Sequence, residues 1–148
     1  PEEAKRFVEE TGVDCLAVAV GTAHGAYKGE PHIQFDRLKA IREAVPVPLV
    51  LHGGSGSGDE NIRKACQNGI AKVNFARDIV QAAYDALKEA DLEGDAMYDF
   101  FEIITKGIKE KVKHFFEVTG CVGKAWTLQP EFGVQKMGLQ DEKEHEEK

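Results

Sequence analysis

Three segments of this 148-residue chain carry side chains suited to chemistry. His24 lies in Gly21-Thr-Ala-His-Gly25, His52 opens His52-Gly-Gly-Ser-Gly-Ser-Gly58, and Asn74 sits in Lys72-Val-Asn-Phe-Ala76. Paired imidazoles are good zinc ligands, but a catalytic zinc normally takes three protein ligands. The sequence offers no convincing third: His32 stands just before a helix and His114 within one, so both read as surface residues, and His145 is in the tail. A run of small residues lets a ligand approach the backbone, whose free N–H groups can hold a phosphate. The Asn74 carboxamide can donate to an oxygen, although Asn at a strand end is also a common turn residue.

The glycine run matches none of the familiar signatures. Gly53 and Gly58 have the separation of a Walker A loop, but Asp59 and Glu60 fill its Lys and Ser/Thr positions and would repel a phosphate. A dinucleotide fingerprint starting at Gly54 meets Asp59 where its third glycine belongs. A nucleophile elbow around Ser55 meets Ser57 in place of its last glycine.

The elements that must position these residues alternate. Ala4, Phe7 and Val8 share one face of a helix over 2–11, closed by Gly12. Residues 14–20 form an apolar run of strand length, as expected of a strand buried on both faces in a parallel sheet. Phe35, Leu38, Ile41 and Val45 recur at helical spacing up to Pro46, and residues 48–51 make a second strand. Asp59 is a good N-cap for a helix carrying Ile62, Ala65 and Cys66, which Asn68-Gly69 stops. Residues 70–75 read as a third strand, followed by a helix with Ile79, Ala83, Ala86 and Leu87 inward. A longer helix over about 95–116 carries Phe100, Phe101, Ile104, Ile108, Val112 and Phe115.

The order α-β-α-β-α-β-α-α predicts an α/β fold with right-handed crossovers and a parallel sheet. His24, His52 and Asn74 each follow a strand, on the rim where such folds build sites. One histidine after a strand is more often structural than catalytic. Two, beside glycine-rich segments and after successive strands, point to one shared ion.

Composition closes off other classes. With 19 Lys+Arg against 26 Asp+Glu, the net charge of −7 gives no footprint for nucleic acid. The longest apolar run, about residues 16–20, is far short of the ~20 residues a membrane span needs. Three cysteines without paired spacing argue against a disulfide framework or zinc ribbon and fit a reducing compartment, the cytoplasm. Residues 129–148 read as a polar, disordered tail after a domain over 1–128. The chain opens on Pro1 in mid-pattern, as a piece of a longer protein would.

With these residues in this order, the sequence resembles the class II, zinc-dependent fructose-bisphosphate aldolases. The matching stretches are VGTAHGAYKGEP, VPLVLHGGSG and IAKVNFA, with a weaker match in KGIKEKVKHFFEVTGCVGKA. The resemblance implies a (β/α)₈ TIM barrel, of which this chain supplies the last three βα units and the C-terminal helix. It implies zinc held by His24 and His52. It also implies the phosphate of dihydroxyacetone phosphate gripped by Gly25, by Gly53, Gly54 and Ser55, and by Asn74, Phe75, Ala76 and Arg77, with Lys28 as a further candidate. The implied reaction is cleavage or condensation of a ketose 1,6-bisphosphate through a zinc-stabilised enediolate, a glycolytic step when the substrate is fructose 1,6-bisphosphate. Tagatose bisphosphate aldolase and an inactive half-barrel that only binds metal or phosphate are the alternatives. The family's proton-transferring Asp and a further zinc His belong to earlier strands, so no catalytic residue is assigned here. Arg77 stands where the family usually has Thr or Ser. The complete enzyme would be a homo-oligomer. A whole barrel takes ~250 residues, so this length corresponds to about half of one.

Overall fold

The computed structural model describes residues 1–25, 29, 31–93 and 98–124. Lys28 and the tail expected to be disordered lie outside them. In chain order the elements are α1 (Glu2–Thr11), β1 (Leu16–Ala17), α2 (Phe35–Ala44), β2 (Leu49–Leu51), α3 (Asp59–Gln67), β3 (Ile70–Val73), α4 (Arg77–Glu89) and α5 (Phe100–Thr119). The strands pair in parallel in the sequential order β1-β2-β3. Leu16 faces Leu49, Ala17 faces Val50, and Leu51 faces Val73. The register shifts between Leu49 and Val50, so that Val50 pairs with Lys72.

One face of this sheet is packed and the other is largely open. Leu49 and Leu51 are fully buried among Val8, Val20, Leu38, Ile41, Val45, Ile62, Ala65, Ile70 and Val118. The expectation that residues 14–20 are buried on both faces fails. Leu16 and Val18 are half-buried and Val20 is buried, while Ala17 and Ala19 between them are exposed. That is the period-2 pattern of a strand packed on one side only. On its free side β1 borders an open groove of about 750 Å³ lined by Phe7, Ala17, Ala19 and Ile41 among others. Phe7 is 49% exposed there, and of the face it shares with Ala4 and Val8 only Val8 is buried.

Other boundaries shift for local reasons. Asp59 is the first residue of α3, not its cap; Gly58 takes the cap position. The Asp59 carboxylate pairs with Nε2 of His114 at 3.0 Å across two partly exposed side chains, so His114 is a surface residue with a partner. A carboxylate in a helix's first turn is favoured by the helix dipole as well. No residue of α4 is fully buried, because α4 packs chiefly along α5. Gly107 allows that contact: a Cβ there would collide with the Ala82 carbonyl and the Ala86 methyl. Farther along α5, Phe115 is buried and stacks on Phe75 at 3.7 Å between ring centres. Phe101, nearer the start of α5, is 78% exposed. It lies six residues before Gly107, roughly 9 Å along the axis, and its ring meets Phe100 edge to face. Among the described residues no helix is long and apolar enough to cross a membrane.

Candidate functional site

In a parallel sheet all strands end on the same rim, so His24, His52 and Asn74 converge by topology. Each lies on a segment leaving its strand. The histidines meet edge to face with ring centres 5.6 Å apart, and both are exposed. The backbone explains their meeting. Gly53, at φ 67, passes so close to Ala23 that a Cβ would collide with the Ala23 carbonyl oxygen. The residues next to this contact are His24 and His52. The sheet then sets their direction: Leu51 faces the core, so His52 leaves on the open face by alternation.

The glycine loop over 53–58 is stitched to the end of β3 and the start of α4. Gly54 donates its amide to the Asn74 carbonyl at 3.1 Å, and a Cβ at Gly54 would strike Val73 and the Asn74 carbonyl. The smallness of Gly53 and Gly54, read from sequence as room for a ligand, is therefore used by the protein's own neighbouring loops. Ser55, 8% exposed, accepts the amides of Ala76 and Asp78 on its Oγ at 3.1 and 3.3 Å. Its hydroxyl thus serves as the cap that α4 lacks from its own N-cap residue, Ala76. Ser57 Oγ donates to the Gly53 carbonyl at 3.1 Å and closes the loop from inside.

The remaining expected residues fall around this seam. Gly25 follows His24 on the rim and is exposed. Phe75 turns its ring inward onto Phe115, leaving its backbone to the rim. Arg77 is the exposed first residue of α4 and borders a shallow depression with Val80 and Tyr84. Among the described residues, the amides of Ser55 and Arg77 engage no acceptor. They flank the Ser55 hydroxyl at the N-terminus of α4, the polarity that suits an anion.

Two residues not picked out from the sequence belong to the site. Lys72 Nζ donates to Asn74 Oδ1 at 2.5 Å, which leaves Nδ2 as the carboxamide's available group. Their separation of two residues on a strand, which puts them on one face, was the available signal. Asp78 Oδ2 accepts the amide of Gly56 at 3.2 Å across the seam. Only its place in the first turn of a helix pointed to it.

Two imidazoles on one tetrahedral zinc, at ~2.0–2.1 Å per nitrogen, have ring centres roughly 5 Å apart. The ring centres observed lie within about an ångström of that spacing, at 5.6 Å. Among the described residues no group of three or more His, Cys, Asp or Glu gathers, so the two rings have no third potential ligand beside them.

Sequential parallel strands, helices on one face and a polar rim at the strand ends define a segment of a (β/α)₈ barrel. The chain belongs to the class II fructose-bisphosphate aldolase family, whose profile matches residues 1–124. It is 42% identical over 125 residues to the uncharacterized protein YdjI of Escherichia coli K12, covering 84% of this chain and 44% of that protein. The crystal structure of the YdjI aldolase superposes with a TM-score of 0.78 over 84% of this chain and 47% of that one. A Coccidioides immitis protein solved as a candidate fructose-1,6-bisphosphate aldolase superposes at 0.76 with 31% identity, over 84% of this chain and 44% of that one. The Campylobacter jejuni fructose-bisphosphate aldolase shares the fold at 0.70 and 24% identity, over 82% and 45%. The chain thus spans about half the length of these relatives.

Proposed function

We propose that this chain carries the zinc- and phosphate-binding rim of a class II ketose-bisphosphate aldolase that acts on fructose 1,6-bisphosphate. The observation behind the reading is the His24–His52 pair beside a glycine loop sealed to the N-terminus of α4. His24 and His52 would hold the zinc, and neutral imidazoles leave the ion its full charge. The bound ion supplies Lewis-acid polarisation of the substrate's carbonyl oxygen. The Ser55 and Arg77 amides take the phosphate, which fixes the reacting carbons relative to the histidines. Asn74, oriented by Lys72, donates Nδ2 to the oxygen on which negative charge develops.

The lack of a third ligand among the described residues favours a second statement about the chain in isolation: it binds metal and phosphate without cleaving substrate. Complementation tests both. The chain is mixed with the part of the YdjI aldolase that it does not cover. Cleavage of fructose 1,6-bisphosphate is followed alongside zinc content, with tagatose 1,6-bisphosphate in parallel. The expected result is cleavage by the mixture and by neither part alone, with His24→Ala or His52→Ala lowering bound zinc and abolishing turnover. Zinc content unchanged in both variants defeats the ligand assignment. A mixture that co-elutes and holds zinc but cleaves neither bisphosphate leaves only the binding role.

A further inference from the structure

We infer that Asp78 is a positioning residue for the phosphate subsite, holding the tip of the glycine loop so that the Ser55 and Arg77 amides serve one anion. The inference rests on the phosphate reading above. The loop needs an anchor because four of the six residues from 53 to 58 are glycine, which lose the most backbone freedom on ordering. Most of the loop is held from within or by β3: Gly54 by the Asn74 carbonyl, Ser57 by Gly53, and the Ser57 carbonyl by Asn61 Nδ2 at 2.9 Å. Gly56 is the exposed tip, at φ 76. Among the described residues its amide is engaged by Asp78 Oδ2 alone.

Asp78 is well placed to hold it. It is half-buried in the first turn of α4, where the dipole favours a carboxylate, and its own amide is taken by Ser55 Oγ. Ser55 and Asp78 therefore cross-link loop and helix in both directions: hydroxyl to helix amides, helix carboxylate to loop amide. Both ties fall within one residue of the Ser55 amide, on its C-terminal side, and the Gly54 amide is held by the Asn74 carbonyl just before it, so its position relative to the Arg77 amide is set from both directions. The same carboxylate puts a negative charge beside an anion site, an effect opposite in sign to its positioning role.

Two substitutions separate these contributions. Asp78→Asn keeps an acceptor for Gly56 and removes the charge; Asp78→Ala removes both. The chain is titrated with inorganic phosphate while the Ser55 and Arg77 amides are followed by ¹H–¹⁵N NMR, and exchange of the Gly56 amide is measured without phosphate. In Asp78→Ala, phosphate affinity should fall by roughly tenfold, the worth of about one hydrogen bond, and Gly56 should exchange faster. Asp78→Asn should restore slow exchange and bind phosphate at least as tightly as the unaltered chain. If Asp78→Ala binds phosphate as the unaltered chain does, the positioning role is overturned while the subsite stands. If Asp78→Asn weakens binding as much as Asp78→Ala with Gly56 still slow to exchange, holding the Gly56 amide does not set the affinity and the inference falls. An unaltered chain whose Ser55 and Arg77 signals ignore phosphate removes the subsite and the inference with it.

Discussion

His24 and His52 come together because two backbones touch first, with Gly53 against the Ala23 carbonyl. A side chain at 53 must force those backbones apart as well as adopt a left-handed conformation. Gly53→Ala should therefore cost about 1–3 kcal/mol of stability, measured by urea unfolding. It should also weaken zinc binding although it leaves both imidazoles in the chain. Stability and zinc affinity equal to those of the unaltered chain would show that the contact does not set the pair. The histidines and Asn74 were legible from sequence because each follows an apolar run, and a parallel sheet sends all such ends to one rim. The use made of Gly53 and Gly54 was not legible. Smallness is visible in a sequence, but whether a ligand or a neighbouring loop fills the space is a tertiary fact. Asp78 was hidden for a like reason, its partner lying 22 positions earlier.

At the scale of elements, the central strand dominates. Leu49, Val50 and Leu51 are all buried, whereas β1 and β3 each show exposed residues. Leu51→Ala removes a fully buried side chain that reaches the helices and should cost about 2–5 kcal/mol. The loss should appear as a lower urea midpoint with the slope unchanged. A loss under about 1 kcal/mol would show that Leu51 does not anchor the core, since even sites that relax well lose more. Helix existence and order followed from periodicity and from Gly12, Pro46 and Asn68-Gly69. What periodicity overstated was burial. Ile79, Ala83, Ala86 and Leu87 do form one stripe of α4, yet all are only half-buried. Phe101 likewise continues the stripe of α5 beyond the Gly107 contact. A pattern marks the face meant for packing; the extent of its cover depends on what else is present.

For the molecule as a whole, Cys66 reports on cooperativity. It is half-buried on α3, and burial, with a smaller contribution from the charge of Cys121, pushes its thiol above the ordinary value of 9.0. A raised pKa keeps the less reactive thiol form in the folded chain. The sign for stability follows: the contribution is whole below pH 9.0 and is lost as pH rises toward the folded value. In Cys15→Ser/Cys121→Ser, alkylation of Cys66 should be slow in the folded chain and accelerate with urea in step with loss of helical circular dichroism. Acceleration well before that loss would mean that α3 opens separately from the sheet.

The sequential strand order has a consequence for synthesis. Each strand pairs with the one made just before it, so β1 has left the ribosome before β2 needs it, and β2 before β3. The sheet can therefore grow in the direction of translation, with no strand waiting for a distant partner to its C-terminal side. The seam between the glycine loop and α4 closes late in that order, after the second crossover. The rim proposed to bind phosphate would be the last part of this sheet to acquire its shape.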